Sequence, residues 1–160
     1  MTLENSQGDG AGTDEATAER ALAVSLFKET WSLLDRPSRT PREDDRMIHA
    51  AHASRLHWDG IGTDQERAVG EWLVSRVYAT LGHGPSAVFH ARRAISYAAS
   101  AGVEDWVPAS AHEGLARAYA ASGQVDLARA ARDRSRVLLE AVADPEDRDI
   151  VARDFATLPI

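Results

Sequence analysis

The chain has no cysteine, a single lysine (Lys28) and no apolar run long enough to cross a bilayer. The first absence excludes disulfides, thiolate metal sites and cysteine nucleophiles. The last excludes a spanning helix, which needs about 20 apolar residues. The first fifteen residues are polar and acidic and lack an apolar core, so they do not read as a signal peptide. The expected location is the cytoplasm. Excess positive charge is also missing. The net charge of −7 leaves no general basic face to displace counterions from a nucleic acid. No segment alternates in polarity as a half-buried strand does, and there is no Walker A, G-x-S-x-G or HExxH pattern. Gly60-Ile61-Gly62 lacks the further glycine and the preceding strand of a dinucleotide loop.

What is present is helical periodicity broken by glycine and proline. The 160 residues, 44% of them apolar, suffice for one domain with a real core. Residues 1–13 read as a disordered tail and 14–160 as one domain. Apolar spacing predicts a first helix over 14–34, ended by Pro37. Thr40-Pro41-Arg42-Glu43 and Thr63-Asp64-Gln65-Glu66 are capping boxes that open the second and third helices. Gly82 and Gly123 suit the left-handed position after a helix, and Pro85, Pro108 and Pro145 suit first turns. Six or seven helices of about 15–20 residues with short turns imply an all-α fold of antiparallel neighbours.

A short theme recurs along these helices as Ser54–His57 (SRLH), Ser75–Tyr78 (SRVY) and Ala116–Tyr119 (ARAY). In the third to sixth helices, Val74, Ser75, Tyr78, Gly82, Ala87 and Ala94 are followed by Leu115, Ala116, Tyr119, Gly123 and Ala128. This pattern resembles the tetratricopeptide (TPR) repeat over residues 65–139, and the texture is similar to small TPR-like proteins of high-GC bacteria. The resemblance implies helical hairpins stacked as a short right-handed solenoid. Departures occur at the usual Trp site, here Glu71 and His112, and at Arg132 and Ser135.

The resemblance also implies a concave groove lined by the first helix of each hairpin. That register puts Trp72 and Arg76, then Glu113 and Arg117, on the groove face, with Arg55 pointing the same way. Three convergent arginines would clamp a carboxylate or phosphate bidentately, with Trp72 as an exposed anchor. The expected partner is a protein segment, a peptide or a small acidic ligand, with self-association also in view. The plain alternative is that these arginines pair with Glu71, Asp59 and Glu113.

A rival reading is a small enzyme. His52, Glu71, His90 and Glu113 are its candidate acid–base residues, and His49, His52 and His90 its candidate metal ligands. No nucleophile or oxyanion device accompanies them, and no cofactor is implied.

Overall fold

The computed structural model describes residues 8–160. The described residues form seven α-helices and no strand: α1 (Gly8–Leu34), α2 (Pro41–Ile61), α3 (Asp64–Thr80), α4 (Gly84–Ala98), α5 (Trp106–Ala121), α6 (Val125–Glu140) and α7 (Pro145–Phe155). Of the tail expected over 1–13, residues 1–7 lie outside the described residues and 8–13 belong to α1. None of the helices is long and apolar enough to cross a membrane.

The helix boundaries follow from local chemistry. Both threonine boxes form: Glu43 Oε2 accepts from the Thr40 N–H at 2.7 Å and Glu66 Oε2 from the Thr63 N–H at 2.8 Å. Asp144 caps α7 by accepting from the Glu146 and Asp147 amides at 2.8 and 3.2 Å. Gly82 and Gly123 adopt φ of 76° and 72° just after α3 and α5, a conformation any side chain would strain.

Consecutive helices pack as α1 on α2, α3 on α4 and α5 on α6. One device recurs in all three pairs. A buried serine hydroxyl donates to a main-chain carbonyl of the paired helix: Ser54 to Ala23 at 2.8 Å, Ser75 to Ala87 at 2.9 Å and Ser135 to Ala109 at 2.9 Å. Serine is small enough for close approach, and its hydroxyl is satisfied where water cannot reach. The third case accounts for serine at 135, a departure from the repeat pattern.

α3 is in contact with α2, α4 and α5. Seven of its residues from Gly70 to Val77 are buried, including Leu73, Val74 and Ser75 at 0% exposure. Met47 and Ala51 of α2 pack against Val74 and Val77, while Ala68, Trp72 and Leu73 pack against Ala94, Ala98, Val107 and Ala111. α7 lies across α5 and α6. The last residues continue from it, and Leu158 and Ile160 rest on the cluster built around Ala116 and Tyr119.

Candidate functional site

Two glutamates are buried: Glu71 is 3% exposed and Glu113 fully enclosed. A carboxylate taken out of water needs cations or hydrogen-bond donors around it. Each glutamate gathers its own set, and together these two networks contain nearly every candidate residue of the sequence.

The first network joins α2, α3 and α4. Glu71 accepts from Arg55 Nε at 3.1 Å and from Arg93 Nε at 2.9 Å, and it contacts His90 Nδ1 at 2.7 Å. Arg55 is only 7% exposed and has two further partners, Asp59 at 2.5 Å and the Tyr97 hydroxyl at 3.3 Å. Burial opposes ionisation of Glu71. Hydrogen bonds from His90 and Arg93, with the charges of the same two groups, outweigh it and hold the carboxyl below its usual range. The His52 ring meets the His90 ring edge-on at 5.2 Å, and its Nε2 contacts the Tyr78 hydroxyl at 2.9 Å. An open cleft of about 350 Å³ exposes this network between Leu56 and Phe89.

The second network joins α3, α5 and α7. Glu113 accepts from Trp72 Nε1 at 3.0 Å and from Arg117 Nε and Nη2 at 2.9 and 2.5 Å. Arg76 Nη1 lies 3.6 Å from Glu113 and 3.1 Å from the Asp154 carboxylate. The latter contact is an ion pair without a well-angled hydrogen bond at Nη1. The Arg76 guanidinium also sits 5.4 Å above the Trp31 ring and 5.9 Å from that of Trp72. Arg117 reaches α7 through the Asp154 carbonyl at 3.1 Å, the Thr157 carbonyl at 3.3 Å and the Thr157 hydroxyl at 2.9 Å. Burial raises the pKa of Asp154, as does the charge of Glu113, while Arg76 and Arg117 oppose the rise.

Three expectations are corrected by this geometry. The arginines do not converge in one groove, because Arg55 belongs to the first network and Arg76 and Arg117 to the second. The missing side chain of Gly70 is the reason: a Cβ there would stand 2.6 Å from Arg55 Cδ, so the Arg55 stem crosses α3 at that point and delivers its head to Glu71. Trp72 is not an exposed anchor. It is 8% exposed, and its ring occupies the space left by Gly114, where a Cβ would meet Trp72 Cδ1 at 2.6 Å. His49 does not join His52 and His90. Its side chain is 75% exposed, 3.7 Å from Asp45, on the solvent side of α2. Among the described residues, no group of three or more His, Asp or Glu side chains is arranged to hold a metal ion. Of the acid–base candidates, Glu71, His52 and His90 come together, and Glu113 stands apart in the second network.

Arg93, Tyr97, Asp154 and Thr157 complete the networks without having been singled out in the sequence. Arg93 and Tyr97 follow His90 at helical spacing, which was a usable signal. Asp154 and Thr157 carry no comparable mark.

Two half-buried histidines, His52 and His112, set a pH response. Burial lowers the pKa of His52 below the ordinary 6.5, with the charge of His90 acting the same way and Glu71 opposing. Burial, and secondarily Arg134, lowers that of His112. Such groups take up a proton less readily folded than unfolded. They favour folding above pH 6.5, and that contribution is lost as the pH falls through the folded-state value. Glu71 acts in a separate window, below its ordinary 4.5. The melting temperature is therefore expected to fall between about pH 7.5 and about pH 5.5, with a shallower slope in His52→Gln. Equal slopes in thermal melts of the two proteins would remove His52 from the account.

No family model matches the chain, and neither a curated protein nor a solved structure matches it.

Proposed function

We propose that the protein is a TPR-like binding module whose three helix pairs act as stacked hairpins, and that it holds an acidic protein segment against Arg76 and Arg117. One observation carries this reading. The two arginines already grip a piece of peptide, namely the Asp154 carboxylate and the main-chain carbonyls of Asp154 and Thr157. A side-chain carboxylate on one guanidinium and backbone carbonyls on the other is the pattern by which an acidic peptide would be recognised. The chain's own segment stands in for that ligand.

Two features support exchange with an outside segment. Asp154 is incompletely compensated, as its raised pKa and the poor angle to Arg76 indicate. Beyond α7, a cleft of about 320 Å³ continues beside Arg117, lined by Ala79, Thr80, Ala120, Ala121 and Pro159. Its small side chains give an incoming main chain close access to α3 and α5.

The test is a titration of an Asp-rich peptide into the full-length protein and into Arg76→Ala. Arg76 is chosen because Glu113 keeps Arg117 and Trp72 when Arg76 is removed. The variant is expected to bind about tenfold more weakly, the equivalent of one charge-assisted contact. Equal affinity, with helicity unchanged, removes the arginine pair from recognition.

A second reading rests on the first network. The contact of His90 Nδ1 with Glu71, beside His52 in an open cleft, is an arrangement suited to general acid–base chemistry. Turnover lost in both His90→Gln and Glu71→Gln while peptide binding persisted would favour the enzyme.

A further inference from the structure

A third cleft, of about 370 Å³, opens where α1, α2, α3 and the start of α5 meet. Its walls are apolar and largely aromatic: Val24 and Phe27 from α1, Trp58 from α2, Val69 from α3 and Trp106 from α5. Lys28 also lines it. Trp58 is itself held rigidly, 8% exposed with the Arg20 guanidinium stacked 4.9 Å from its ring.

The polar groups around the cleft are engaged, with one exception. Glu66 is spent on the Thr63 amide and hydroxyl at 2.8 and 2.6 Å. The Gln65 amide is bonded in both directions to Glu104, its Nε2 donating to the carboxylate and its Oε1 accepting from the main-chain N–H, each at 3.0 Å. The Trp106 indole donates to Glu104 at 2.6 Å. Lys28, the only lysine of the chain, is exposed and has no ion pair or hydrogen bond among the described residues. Lys28 is the one cation among the residues lining the cleft, beside the hydrogen-bonded Glu66 carboxylate, and its flexible stem can swing over the opening.

We propose that the cleft binds an amphipathic carboxylate, with its apolar body among Phe27, Trp58, Val69 and Trp106 and its carboxylate on the Lys28 ammonium. The volume matches one small molecule rather than a protein segment, and aromatic walls with a charged group at the opening suit such a ligand. The site is separate from the Arg76–Arg117 groove and does not depend on the reading given for it.

The test uses decanoate and 2-naphthoate as probes on the full-length protein, followed by tryptophan fluorescence and calorimetry, with decanol as the uncharged control. Saturable binding at one molecule per chain is expected. Lys28→Met, an exposed substitution, is expected to weaken both carboxylates about tenfold and leave decanol unchanged. Val69→Trp, which fills the cleft, is expected to abolish binding of all three. Absence of saturable carboxylate binding, equal affinity in Lys28→Met, or undiminished binding in Val69→Trp would each overturn the proposal.

Discussion

Glu113→Ala is expected to destabilise the protein by about 3–5 kcal/mol, the usual consequence of removing one partner from a buried ionic cluster. Glu113 is fully enclosed and is the shared acceptor for Arg117, Trp72 and Arg76. Without it, the Trp72 indole N–H loses its partner inside the core, Arg76 keeps only the Asp154 carboxylate, and Arg117 keeps only the Asp154 and Thr157 acceptors. The loss is a large share of a stability of about 5–15 kcal/mol. It corresponds to a fall of roughly 6–20 °C in melting temperature for a domain of this size. Glu113→Gln keeps the shape and one acceptor and should lie between. A fall of only a degree or two for Glu113→Ala would mean that the two arginines find water or other acceptors, and that the second network does not hold α5 to α3.

Glu71→Ala is the second large effect, expected at about 2–3 kcal/mol. The cluster is of the same kind, but its members have other outlets. Arg55 keeps Asp59 and Tyr97, and Arg93 is half exposed and can turn into solvent. His90 loses its Glu71 contact but stays at the edge of the open cleft. The difference between the two glutamates is itself informative. Thermal melts that rank Glu71→Ala as the more damaging would show that the extra partners of Arg55 contribute less than their distances suggest.

These two glutamates show how far the sequence could be read. The capping boxes at Thr40 and Thr63, the stop at Gly82 and the start at Pro145 were legible because each depends on residues within a few positions of one another. The all-helical character of the described residues, and an expectation of six or seven helices where seven are found among them, follow from the same local signals. The start of α1 was not legible, because glycine's low helix propensity argued against a helix from Gly8. That Arg55, Arg76 and Arg117 would meet carboxylates was foreseeable from the charges available. Which arginine meets which was not. Gly70 on one helix decides the path of Arg55 on another, and Gly114 decides that Trp72 is buried. Such contacts lie between helices, and no spacing within a helix encodes them. The hold of Arg117 on Asp154 and Thr157 is of the same kind, since one bond to each goes to a main-chain carbonyl, which every residue possesses.

The most direct measurement of the central claim is amide hydrogen exchange over residues 145–160, with and without a saturating Asp-rich peptide. If the peptide takes the place of the chain's own segment on Arg76 and Arg117, protection in α7 and at Thr157–Ile160 should fall while that of α3 and α5 stays or rises. Unchanged protection of α7 under conditions where the peptide is bound would place the peptide elsewhere and contradict the account.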